Sequence, residues 1–89
     1  MASFLVYRHG SNAANQPMTP DAAVAIIDAA DKAEARKVAR DNINCYANQF
    51  LSFVAEEEMT EEQMEDWNEV SNRDAVRRSV GEGSIIYSA

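Results

Sequence analysis

The 89 residues carry fifteen acids against eight Lys and Arg, a formal net charge of −7, and read as a single domain over residues 1–89. That balance excludes a general binder of nucleic acid or anionic membrane, because neutralising phosphate needs clustered Lys and Arg. One cysteine, Cys45, excludes an internal disulfide, and one histidine with one cysteine excludes the common zinc patterns.

Taken in chain order, Ser3-Phe4-Leu5-Val6-Tyr7-Arg8 predicts a strand, rich in aromatic and branched residues and closed by a charge. The apolar part is too short for the core of a signal peptide. No later run approaches the length of a transmembrane helix, so the expectation is a soluble, cytoplasmic protein. Residues 9–20 have no hydrophobic period and hold two Asn, one Gln and both Pro. They predict a loop of twelve residues, long for a domain of this size.

Residues 22–30 are apolar on every side except Asp28, which suits a strand buried on both faces. Thr19-Pro20-Asp21 would equally open a helix. Phase separates the two. A helix continuous with the stripe Ala35, Val38 and Ala39 would place Asp28 and Asp31 in its own apolar seam, so a strand over 22–28 is expected. Asp31-Lys32-Ala33-Glu34 then forms a capping box, opening a helix over 33–41 with Lys32, Arg36 and Arg40 on one face. Residues 43–55 alternate as a strand, with Ile43, Cys45, Ala47, Leu51, Phe53 and Ala55 on one side.

An acidic block follows. Between residues 41 and 72 there is no base, while Glu56, Glu57, Glu58, Glu61, Glu62, Glu65, Asp66 and Glu69 bring eight negative charges. Thr60-Glu61-Glu62-Gln63 is a second capping box, opening a helix to Val70 with Met64, Trp67 and Val70 as its narrow apolar stripe. Ser71-Asn72-Arg73-Asp74 offers a third cap, for a short helix with Ala75, Val76 and Val80 inward. Gly81 and Gly83 end it, and residues 84–89 predict a closing edge strand. The expected fold is α+β, in the order β-β-α-β-α-α-β, a small mixed or antiparallel sheet with helices packed on one face. An all-α bundle is the alternative if both apolar runs are helical.

For function, the acidic block is the leading candidate. Glu57, Glu58, Glu61, Glu62, Glu65, Asp66 and Glu69, with Trp67 among them, would present spaced negative charges and one aromatic anchor to a basic protein surface. The expectation is a non-enzymatic acidic binding protein, an inhibitor or adaptor. Its strongest form is a viral, phage-type inhibitor that mimics nucleic acid and occupies a nucleic-acid-binding site. No cofactor, metal, membrane or direct nucleic-acid partner is expected; the acids lack the alternating oxygen ligands and mid-loop Gly of a calcium loop. A homodimer formed through an exposed edge strand is a further class.

The second candidate is the segment Arg8-His9-Gly10, with Asn12 and Asn15 in the loop that follows. Arg8-His9-Gly10 and Asn15, directly after an apolar strand, resemble the signature of the histidine phosphatase superfamily. That resemblance would make His9 the phosphoryl acceptor and Arg8 a phosphate ligand in a phosphate-handling enzyme. It covers about a dozen residues. Ser11 departs from the acidic or amide residue usual at that place, and His9 is the only histidine where that family's pocket uses two. Those enzymes also stand on a much larger α/β domain. His9 is therefore read as a strand-end residue facing a polar loop.

Overall fold

The computed structural model describes residues 2–14, 16–45 and 49–89. It is α+β. Strand β1 (Ala2–Ser11) pairs antiparallel with β2 (Pro17–Ala29) on one side and with β3 (Phe50–Ala55) on the other. Strand β4 (Ile86–Ser88) joins β2 in parallel, giving a mixed sheet in the order β3-β1-β2-β4. Helix α1 (Lys32–Asn42) links β2 to β3, and helix α2 (Glu61–Ser79) links β3 to β4 after one turn of 3-10 helix, Glu56–Glu58. The all-α alternative is set aside by the sheet. The closing strand is at an edge, as expected.

Side chains alternate across a strand, so β1 serves two cores. Phe4 and Val6 pack with Ala25, Ile27, Phe53 and the α1 residues Ala35 and Ala39. Leu5 and Tyr7 pack with Ile26 and the α2 residue Val70, with Trp67 and Met59 alongside. The helices thus cover opposite faces of the sheet, which corrects the expectation that both lie on one. The physical reason is the unbroken apolar runs of β1 and β2. A strand without a polar face needs cover on both sides. The small Ala35 and Ala39 let α1 lie close on the sheet, and the Arg36 guanidinium sits over the Phe53 ring, 5.0 Å from its centroid.

Three element boundaries differ from expectation. The loop predicted over 9–20 is a long hairpin instead: β1 continues to Ser11 and β2 begins at Pro17. Ten residues of β1 face thirteen of β2, and three register shifts absorb the excess. Such bulges admit Pro and polar residues that a regular ladder would reject. Asn12 closes the turn, its side-chain oxygen accepting from the amides of Ala14 and Gln16, both at 3.0 Å. The strand predicted over 43–55 begins only at Phe50. Ile43 caps α1, and the expected inward position Ala47 lies outside the described residues.

The third difference is α2, one helix of 19 residues where two were expected. Nothing in it breaks a helix, having neither Gly nor Pro. Its inward face runs through Val70 and Asp74, while Val76 and Val80 are 63% and 65% exposed. Asp74, 1% exposed, turns toward β4 instead of capping a new helix. Its Oδ1 accepts from the Ser84 hydroxyl and from the amides of Ile85 and Ile86, and its Oδ2 lies 2.8 Å from Arg78 Nε. Burial alone would push this carboxyl up. The hydrogen bonds from Ser84, Ile85 and Ile86 and the Arg78 charge outweigh it and hold the group below the ordinary 3.8. Past Val80, Gly81 takes φ 79°, and the amides of Glu82 and Gly81 donate to the carbonyls of Arg77 and Arg78, a Schellman closure that turns the chain toward β4.

Two of the three predicted caps form, and the third, at Ser71, falls inside α2. Thr60 and Gln63 make the full reciprocal box. Asp31 accepts from the Glu34 amide at 2.9 Å, and Glu34 reaches one residue further back than expected, to the Ala30 amide at 3.2 Å. Asp31→Ala is expected to lower stability by about 0.5–2 kcal/mol, read as a lower denaturant midpoint at unchanged slope. The Asp74 network makes stability depend on acid. A folded pKa below the unfolded value contributes stability that is complete above the ordinary carboxylate range and is lost as pH falls through the folded value. Thermal melts between pH 7 and pH 2 should therefore show a loss that Asp74→Asn makes shallower, with the variant already less stable at pH 7.

Candidate functional site

The acidic residues come from the 3-10 turn and the first half of α2. Glu57, Glu58, Glu61, Glu62, Glu65 and Glu69 are exposed, so the structure does bring most of the expected docking set to one surface. Position in the helix favours them, since acids in a first turn face the positive end of the helix dipole. Glu58 lies 3.8 Å from Lys32 Nζ, the one ion pair made by this set among the described residues.

Two members of the expected set turn inward. Trp67 is half-buried and packs on the α2 side of the core, where it fills volume instead of standing out as an anchor. Asp66 is half-buried and accepts the Tyr7 hydroxyl at 2.6 Å. Burial and the Asp66 carboxylate together push the Tyr7 phenol above its ordinary value. Behind the acidic rim, Glu65 and Glu69 border a groove of about 750 Å³ lined also by Val24, Val76 and Ile85 and by two cations, Arg73 and Arg77. It runs beside β2 where β4 no longer pairs with that strand.

The second expected site does not converge. Arg8 and His9 are neighbours on a strand and so point to opposite faces of the sheet. Arg8 is half-buried on the α1 side, its Nε without a hydrogen-bond partner. Asn12 is spent on the hairpin turn, and Asn15 lies outside the described residues.

His9 has a different setting from the one expected. It joins three strands. Nδ1 is 2.7 Å from the Met18 carbonyl of β2 and Nε2 is 2.6 Å from Ser52 Oγ of β3. A carbonyl can only accept, so Nδ1 carries the proton. In the neutral ring Nε2 is then the acceptor, and the Ser52 hydroxyl donates to it. Ser52 lines a cavity of about 590 Å³ together with Tyr7, Thr60, Glu62, Gln63 and Asp66. Ser52 and Tyr7 are direct partners in the β1–β3 ladder. Sequence reasoning missed Ser52, Tyr7, Thr60 and Gln63 as neighbours of one cavity. The only hint was the shared alternation of Tyr7 and His9 on β1.

Comparison with protein-family models, with curated proteins and with solved structures finds no significant match, so geometry alone carries the functional reading. Among the described residues, no helix is long and apolar enough to cross a membrane.

The Tyr7–Asp66 contact should appear in alkali. A phenol whose folded pKa is raised contributes stability that is complete below the unfolded value of 10.0 and is lost as pH rises above it. Wild-type melting temperature should therefore decline above pH 10. Tyr7→Phe should flatten that decline and cost about 1.5–3 kcal/mol at pH 7, the usual range for a hydrogen bond to a charged group.

Proposed function

We propose that this chain is a binding protein, an inhibitor or adaptor, that engages a basic protein surface through the 3-10 turn and the first half of α2. One observation carries the reading. Glu57 and Glu58 on the 3-10 turn and Glu61, Glu62, Glu65 and Glu69 on the first half of α2 are exposed to solvent, and among the described residues their one ion pair is the loose Lys32 contact. An exposed ion pair of that kind is worth little, so most of the field is directed outward.

The rest of the surface suits contact as well as steering. Glu61, Glu65 and Glu69 follow one another at single helical turns, about 6 Å apart along the axis, and the row runs on into Arg73 and Arg77, which line the groove with Val24, Val76 and Ile85. A partner segment with Lys or Arg along the acids and an apolar residue, free of further cations, at the groove would match both. The strongest form of the proposal is an inhibitor that covers a nucleic-acid-binding site, since such sites present cations in rows. Trp67 has no part in the contact, being taken up by the core.

The test replaces Glu58, Glu62, Glu65 and Glu69 with Gln and follows association with the partner captured from source cells. Wild-type association should slow as salt rises, because exposed charges are screened over about 8 Å at physiological ionic strength. The four-Gln variant should associate at least about tenfold more slowly at low salt. Salt-independent binding, equal in both proteins, would end the proposal.

A further inference from the structure

The pair His9–Ser52 has the arrangement of an activated nucleophile, beside the acidic docking face, with which its cavity shares Glu62. A serine hydroxyl becomes nucleophilic when a base stands within hydrogen-bond reach and a third group fixes the base. Here Ser52 Oγ is 2.6 Å from His9 Nε2. The Met18 carbonyl, 2.7 Å from Nδ1, holds the ring in the tautomer whose Nε2 can accept the serine proton. Ser52 lines the cavity of about 590 Å³, and His9 supports it from β1 without lining the cavity itself.

We propose that Ser52 is the nucleophile of an acyl-transfer site, with His9 as its general base, and that the cavity takes a small neutral or cationic carboxylic ester. The charge preference comes from the walls: Glu62 and Asp66 line the cavity and no Lys or Arg does, so an anionic acyl compound would be repelled. Thr60 and Gln63, which line the same cavity, offer donors for the developing oxyanion. Thr60 Oγ1 accepts from the Gln63 amide and keeps its own proton to donate. Gln63 Oε1 is occupied by the Thr60 amide, which leaves its NH2 end as the donor.

The chemistry balances with water as the only co-reactant. Ser52 Oγ bonds to the ester carbonyl carbon and its proton passes to His9 Nε2. The bond from that carbon to the alcohol oxygen breaks, and the alcohol leaves with the proton from His9. Water, deprotonated by the same nitrogen, then cleaves the acyl-serine, releasing the carboxylic acid and restoring the hydroxyl. No oxidation occurs. The site rests on His9 and Ser52, which the docking reading does not use, and the two surfaces share Glu62, which the four-Gln variant changes.

The experiment incubates the intact protein with an alkyl fluorophosphonate and locates the adduct by peptide mass spectrometry. A single adduct on Ser52 is expected, absent in Ser52→Ala and formed about 10²-fold more slowly in His9→Gln. Far-UV spectra confirm that each variant is folded. Should His9→Gln fail to fold, Ser52→Cys gives the same information with His9 in place: the new thiol should react with iodoacetamide faster than Cys45 in the same molecule. Turnover is read with p-nitrophenyl acetate and acetylthiocholine, both cleaved, against an anionic ester that is not. Absence of a Ser52 adduct, an equal labelling rate in folded His9→Gln, or a thiol at that position no more reactive than Cys45 would overturn the proposal and leave His9 as a structural tie between strands.

Discussion

Strand β1 has no face it can leave in water, and that constraint organises the molecule. Phe4 and Val6 look one way and Leu5 and Tyr7 the other, all buried. Each such side chain contributes about 1.5–3 kcal/mol when removed from water, so exposing either face would cost more than a domain of this size can lose. One helix must therefore cover each side. The same alternation leads outward from core to candidate site. Leu5 is fully buried, Tyr7 ends in a hydroxyl bound to Asp66, and His9 has both ring nitrogens hydrogen-bonded. Three residues on one face of one strand mark the transition from packing to chemistry.

Asp74 does for the C-terminal edge what the apolar runs do for the centre. A strand of three residues has few ladder bonds of its own. A buried carboxylate is costly unless it is fully engaged, and this one is engaged with Ser84, Ile85, Ile86 and Arg78. The helix and the edge strand are thereby fastened to each other. Above β4, Arg73 donates to the Ala23 carbonyl at 2.7 Å, occupying one acceptor on the edge of β2 that β4 does not pair. An edge blunted by a charged side chain is less open to pairing with another chain.

Charge is divided between and along the helices. Lys32, Arg36 and Arg40 are exposed on α1, on one side of the sheet. On the other side the acids occupy the first half of α2, and Arg73, Arg77 and Arg78 its second half. Among the described residues, the one ion pair between the α1 bases and the acidic block is Lys32–Glu58. A partner approaching the first half of α2 therefore meets a negative field that gives way to positive charge toward the end of the same helix.

Local features were legible in the sequence because local physics makes them. The caps at Asp31 and Thr60 depend on residues three apart, the strand over 22–28 on the absence of any polar face, and the edge position of the last strand on its shortness and its glycine turn. The same apolar runs called for cover on both faces, yet the expected fold set both helices on one, because strand pattern alone does not say which helix goes where. The tertiary structure alone decided three things. It merged the two predicted helices, because the buried partner of Asp74 is a strand more than ten residues further on. It turned Trp67 and Asp66 inward, because which side of an acidic helix is covered depends on where the sheet lies. It brought Ser52 to His9 across 43 positions, through a ladder register set by the packing of Phe4, Val6, Phe53 and Ala55. A polar pair of this kind leaves no periodic trace in a single chain, since each partner by itself is one polar residue on a strand.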